Sequence, residues 1–192
     1  ADSAWVTMSD YINDVIDFIR KENLRDLVLV GHSMSGIVIS KVAEEIPERV
    51  KHLVYLAAVV PKNNEALIEL LTKERQETLQ KLHGKVKEVF GTLEQLRPMY
   101  FTDQEWEEKE FYLKQLTPQP LAVFFEKIPF SQFPKIDIPK TYILGLRDKS
   151  LPPELTRSFA ERLEVTPFEI DAGHDMMVSR PDEVAEVLLR IE

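Results

Sequence analysis

Leu27-Val28-Leu29-Val30-Gly31-His32-Ser33-Met34-Ser35-Gly36 runs from an apolar strand-like stretch, through a turn of small residues, into a helical pattern. A serine at the tip of such a strand–turn–helix unit sits in a strained backbone conformation that crowded neighbours permit only if they are small. This is the layout of a nucleophile elbow. Gly31 and Ser35 are the small neighbours, and Gly36 lets the helix pack closely on the sheet. The helix start also aims backbone N–H groups, Met34 N–H first, at charge forming beside Ser33 Oγ. Compared with G-x-S-x-G, the last position holds Ser35 and the glycine is displaced to Gly36. The six residues Gly31–Gly36 alone read equally well as a βα turn with a capping serine, so the context has to decide.

Upstream, Met8, Tyr11, Ile12, Val15, Ile16 and Ile19 have the spacing of an amphipathic helix over Val6 to Asn23, with Thr7 and Asp10 able to cap it. Downstream, a helix from about Met34 to Ile46 ends at Pro47, and Val50 to Ala57 reads as a second strand. Near-continuous apolar strands separated by helices indicate a mostly parallel sheet covered on both faces. Beyond Pro61 the pattern becomes helical and charged, with helices expected at Ala66-Leu82 and Gln104-Leu116. Strand character returns at Thr141-Leu144 and Pro167-Ile170, with helices at Pro153-Leu163 and Pro181-Ile191. The expected organisation is an α/β core from residues 1–61 and 136–192, interrupted by a helical cap over 62–135. No internal repeat or low-complexity segment is present.

The composition narrows the function. A chain of 192 residues suits one domain, and 33 acidic against 24 basic residues argue against a nucleic-acid partner. The longest apolar run, Leu53 to Val60, is far short of the roughly 20 residues that cross a bilayer, so no membrane association is expected. Ala1-Asp2-Ser3 opens the chain without a basic and apolar leader, which gives a cytoplasmic expectation. The absence of cysteine excludes disulfides, thiolate metal sites and cysteine nucleophiles. Four scattered histidines give no metal site, and no phosphate-loop pattern occurs, so no cofactor is expected.

Catalytic partners for Ser33 stand where a parallel sheet would bring them together. Asp148 lies just past the strand ending at Leu144-Gly145, and His174 just past Ile170-Asp171-Ala172-Gly173. Groups at the carboxyl ends of parallel strands share one edge, and the order serine, acid, histidine completes a triad. Asp137, Asp171 and Asp175 compete with Asp148 for the acid role. His32 is expected to pack or hydrogen-bond beside the elbow and to border the substrate, while His52 and His83 read as structural or solvated. Glu44-Glu45 and Glu105-Trp106-Glu107-Glu108 read as solvated helix faces. The segment from Glu65 to Phe133 is rich in aromatic residues, and Phe124 and Phe125 are its candidates for substrate contact.

Four stretches together resemble the α/β-hydrolase superfamily, in its methylesterase-like and hydroxynitrile-lyase-like branch. They are Leu27–Gly36, Val54–Lys62, Ile143–Asp148 and Ala172–Pro181, and the resemblance covers essentially the whole chain. It implies Ser33 as nucleophile, Asp148 as acid, His174 as base, and a cap that forms much of the pocket. Family members mostly hydrolyse small carboxylic esters. The chain departs from the family in two places. Asp175 stands where the lyase members carry a lysine, which disfavours cyanide chemistry. The family fold also starts with further strands and a His-Gly loop that supplies an oxyanion N–H. Against that pattern the chain reads as N-terminally incomplete, and a second chain or a homo-oligomer is expected to supply the strands. The expected activity is a serine esterase acting on small, fairly apolar carboxylic esters through an acyl-enzyme. The alternative is a hydrolase-fold binding module or inactive fragment, and a hydroxynitrile lyase is the least favoured reading.

Overall fold

The computed structural model describes residues 6–191, apart from the side chain of Trp106; Ala1-Asp2-Ser3, read above for a leader, lie outside the described residues. Helix α1 (Met8–Lys21) buries Met8, Ile12, Ile16 and Ile19, the stripe that its spacing predicts. Its first turn is closed by a capping box in which Asp10 N–H donates to Thr7 Oγ1 (3.2 Å) and Thr7 N–H to Asp10 Oδ2 (2.8 Å).

Strand β1 (Leu27–His32) leads through the elbow into α2 (Ser35–Glu45), and β2 (Val50–Leu56) follows after a 3₁₀ turn at Pro47–Arg49. Between β2 and the next long strand lie the short strands β3 (Glu65–Ala66), β4 (Glu88–Val89), β5 (Gln119–Pro120) and β6 (Lys127–Ile128). The same stretch holds the helices α3 (Lys73–Leu82), α4 (Leu93–Leu96) and α5 (Trp106–Leu113). The chain then returns as β7 (Lys140–Gly145), α6 (Pro153–Arg162), β8 (Phe168–Ile170), α7 (Met176–Ser179) and α8 (Pro181–Leu188).

The main sheet has four strands in the order β1-β2-β7-β8, all parallel. Leu29 pairs with Leu53, Leu56 with Ile143, and Leu144 with Glu169. One face of the sheet packs on α1, α2 and α6, and the other carries Val54, Leu56, Ile143 and Ile170 against Val184 and Val187 of α8. The doubly covered parallel sheet read from the apolar runs is therefore present. β1 forms one edge of it, where Val28 and Val30 are 40% and 45% exposed.

The stretch between β2 and β7 differs from its sequence reading in detail. Instead of one helix over Ala66-Leu82, a 3₁₀ turn covers Leu67–Leu70, Leu71 is extended, and α3 begins at Lys73. Leu67, Ile68, Leu70 and Leu71 are buried, as one face of a continuous helix would also place them. The break comes at Leu71 and Thr72, both extended, where Gln76 Nε2 donates to the Leu71 carbonyl (2.8 Å) and satisfies an acceptor that a continuous helix would pair along its own axis. Two small antiparallel ladders, β3 with β6 and β4 with β5, also tie this stretch together. Glu44 departs from the reading as a solvated face. Its side chain is 4% exposed and accepts backbone N–H bonds from Ser131, Gln132 and Phe133 at 2.7, 2.5 and 3.1 Å. Glu105, Glu107 and Glu108 do face solvent; the side chain of Trp106 lies outside the described residues.

Candidate active site

Ser33 has φ +55, the left-handed conformation that an elbow imposes and a non-glycine residue rarely adopts. Its N–H donates to the Leu56 carbonyl (3.3 Å), and its carbonyl accepts from Gly36 N–H (3.2 Å) and Val59 N–H (3.0 Å). These bonds anchor the turn to the end of β2. A Cβ on Gly36 would overlap the Val59 carbonyl oxygen, and one on Gly31 would lie 2.9 Å from both Ile39 Cδ1 and Ser35 O. Both glycines are therefore required by close approach, Gly36 to the chain leaving β2 rather than to the sheet itself. Met34 has helical φ and ψ at the start of α2, so its N–H stands at the positive end of that helix.

Asp148 and His174 lie beyond the carboxyl ends of β7 and β8. Asp148 Oδ2 is 2.7 Å from His174 Nδ1, and both side chains are fully buried. The other carboxylate oxygen accepts N–H bonds from Ser150 (2.7 Å) and Leu151 (2.8 Å), so the acid is held from both sides. His174 Nε2 is buried and has no hydrogen-bond partner among the described residues. Ser33 and His174 line the same cavity, of about 950 Å³. Asp137 is exposed, and Asp171 is 74% exposed and bound to Arg147 (2.8 Å). Asp175 is buried, but its carboxylate is taken by Phe101 N–H at 2.8 Å.

His32 hydrogen-bonds as the sequence suggests. Its Nε2 donates to the His174 carbonyl (3.0 Å), and the two rings lie 4.6 Å apart. Burial first, and the neighbouring His174 second, push its pKa down to about 3, so the ring is neutral over the physiological range. It also lines the cavity, as does Phe124. Phe125 is not among the lining residues; its ring stacks on His83 with centroids 4.0 Å apart. His52 is bound to Thr141 (2.8 Å) within the sheet.

A strap over Tyr100–Asp103 reaches the histidine loop and was not legible in the sequence. Tyr100 presents a ring edge to His174 at 5.8 Å, Phe101 N–H is held by Asp175, and Asp103 Oδ2 accepts Gly173 N–H at 2.9 Å. These partners lie 70 and 74 residues apart, so no local pattern could have paired them. Phe101 takes φ +50 in the strap. Burial raises the pKa of Asp175, a cost that its hydrogen bond to Phe101 and the nearby His174 only partly offset. Among the described residues no group of three or more His, Cys, Asp or Glu side chains could hold a metal ion, and no helix is long and apolar enough to cross a membrane.

A parallel sheet with a strained serine turn and a buried Asp–His pair at the carboxyl ends of its strands defines a hydrolase-type α/β protein. The chain belongs to the alpha/beta hydrolase family, whose family model matches residues 1–187. Within it, the chain falls in the branch of the methylesterases and polyneuridine aldehyde esterase. It is 30% identical to the carbendazim hydrolyzing esterase of Nocardioides sp. (strain SG-4G), over 95% of this chain and 78% of that protein. It is 25% identical to the polyneuridine aldehyde esterase of Rauvolfia serpentina, over 86% of this chain and 69% of that protein. Among solved structures, an extracellular alpha/beta-hydrolase from a Paenibacillus species superposes with a TM-score of 0.89 at 24% identity, covering 98% of this chain and 81% of that one.

Proposed function

We propose that this chain is a serine carboxylesterase that cleaves small, fairly apolar carboxylic esters through an acyl-enzyme. The observation that carries the proposal is the fully buried Asp148–His174 pair, whose unpartnered Nε2 borders the cavity lined by Ser33. In this reading His174 Nε2 takes the Ser33 Oγ proton as Oγ attacks the ester carbonyl. Asp148 holds the Nδ1–H tautomer and stabilises the imidazolium. The tetrahedral oxyanion forms beside Met34 N–H at the start of α2. The imidazolium then protonates the departing alcohol, leaving an acyl group on Ser33. Water, deprotonated by the same histidine, releases the carboxylic acid and restores the serine. The many apolar residues of the cavity, among them Leu67, Leu71, Leu79 and Phe124, favour apolar acyl or alcohol groups. Relatives named as esterases support the same chemistry.

The test combines hydrolysis of 4-nitrophenyl butyrate with fluorophosphonate labelling and peptide mapping. Turnover with an adduct on Ser33, both abolished by Ser33→Ala, is the expected result. An adduct on Ser35, or turnover that survives Ser33→Ala, would overturn the assignment. Binding of esters without turnover or labelling would leave a small-molecule binding module instead.

A further inference from the structure

One cation in the cavity wall has no role in the chemistry above. Arg75, in the first turn of α3, lines the cavity and is half-buried. Its guanidinium donates to two neutral oxygens, Ser150 Oγ at 2.9 Å and Tyr100 Oη at 3.5 Å. Among the described residues it has no carboxylate within 4.0 Å, although acids outnumber bases 33 to 24 in this protein. Three other part-buried arginines behave differently: Arg49 meets Glu48 (3.8 Å), Arg162 meets Glu65 (2.9 Å) and Arg180 meets Glu183 (3.6 Å). A guanidinium at a helix N-terminus is also placed against the helix dipole, which favours an anion there.

Both of its partners belong to the triad's surroundings. Ser150 N–H holds Asp148, and Tyr100 lies edge-on to His174. Two buried or half-buried charged side chains thus line the cavity: Asp175, whose carboxylate Phe101 N–H already occupies, and Arg75, with donors to spare. Glu74 and Lys149 are the remaining charged lining residues, and both are exposed. A planar five-donor fork beside apolar walls matches a carboxylate carried on an apolar stem.

We infer that the preferred substrates are esters bearing a second, free carboxylate, such as half-esters of dicarboxylic acids, which Arg75 grips while the ester lies over Ser33. This rests on the esterase reading and narrows it.

Two arms separate the inference from that reading. In the binding arm, Ser33→Ala protein is titrated calorimetrically with monomethyl adipate and with methyl hexanoate, which match in length and differ in the terminal carboxylate. The half-ester is expected to bind roughly tenfold tighter or more, a preference lost with Arg75→Gln and partly kept with Arg75→Lys. In the turnover arm, kcat/KM is compared for mono-4-nitrophenyl adipate and 4-nitrophenyl hexanoate. Arg75→Gln is expected to raise KM for the anionic ester about tenfold more than for the neutral one. Equal binding of the two ligands, or an Arg75→Gln loss that falls equally on both, would reduce Arg75 to a tether and overturn the inference. Preferential binding of the half-ester with no turnover of either ester would instead overturn the esterase reading and leave the carboxylate site standing.

Discussion

The Asp175 carboxylate accepts the Phe101 N–H at 2.8 Å, joining the residue after the buried histidine to the strap that carries Tyr100. One bond thus couples the loop between β8 and α7 to a segment far away in sequence. If it positions His174, Asp175→Ala lets the strap and the imidazole drift, and kcat/KM should fall about 10–100-fold. Asp175→Asn keeps an acceptor for Phe101 and should retain most activity. Stability should respond differently. Burial raises the Asp175 pKa, so the folded state holds its proton over a window above the ordinary 3.8, and stability is lost as pH rises through that window. Asp175→Asn removes this penalty, so urea unfolding at pH 7 should show the variant at least as stable as the parent. A variant that is inactive and unstable alike would make Asp175 purely structural.

His32 gives a second pH test. With its pKa lowered from 6.5 to about 3, the folded state binds fewer protons than the unfolded chain in between, so this residue's contribution is lost as pH falls below 6.5. His32→Gln should flatten the acid side of the stability profile between those values. It should leave any acid limb in the pH dependence of kcat/KM in place, because His32 remains uncharged over that range. Disappearance of that limb in His32→Gln would exchange the roles of the two rings.

Phe124 and Phe125 separate pocket from core. Phe124→Ala opens the cavity and should shift the relative kcat/KM of short and aromatic esters. Phe125→Ala breaks a stack on His83 and should lower stability with that ratio unchanged. An unaltered ratio in both variants would place both rings in the core.

These cases also mark what the sequence could reveal. The apolar runs of β1 and β2, the Thr7–Asp10 box and the small residues of the elbow are local signals, and each produced its element. Asp148 and His174 were legible because parallel strands send consecutive loops to one edge. Glu44 was not, since i, i+3 and i, i+4 partners such as Lys41 explain a helix-surface glutamate without any distant loop. Asp103 and Arg75 were not legible for a related reason: their partners are Gly173, Ser150 and Tyr100, and only tertiary folding brings them near. The interrupted helix at Leu67–Leu71 was not legible, because its buried positions at i, i+1, i+3 and i+4 also suit one face of a continuous helix, with Glu69 on the other.

Glu44 should be a stability determinant. Burial alone would raise its pKa, but Lys41 and the Gln132 and Phe133 N–H groups outweigh that and hold it at about 2. Its contribution is present above the ordinary 4.5 and lost as pH falls from there toward 2. Glu44→Gln should cost about 2–3 kcal/mol at pH 7, measured by denaturant titration, with the difference shrinking through that acid window. A difference that is the same at pH 7 and pH 3 would show that the charge is not what binds the loop.

The elbow permits the sharpest substitution. Gly36 and Gly31 both lack room for a Cβ, but the obstacles differ. At Gly31 part of the obstruction is the Ile39 side chain, whose far end can swing away, although Ser35 O is equally close. At Gly36 the obstacle is the Val59 carbonyl, which also belongs to the segment whose N–H fixes Ser33 O at 3.0 Å. A methyl group at Gly36 therefore cannot be accommodated by a rotamer change; it must push α2 away from the end of β2. That motion would carry Met34 N–H off the oxyanion position proposed above and relax the strained Ser33. Gly36→Ala should thus lose more than about 3 kcal/mol of stability, at or above the usual range for overpacking, while Gly31→Ala should lose less. Any Gly36→Ala protein that remains folded should react with fluorophosphonate far more slowly than the parent. Equal labelling rates in the two proteins would show that the close approach of α2 to Val59 is not what sets the serine for attack.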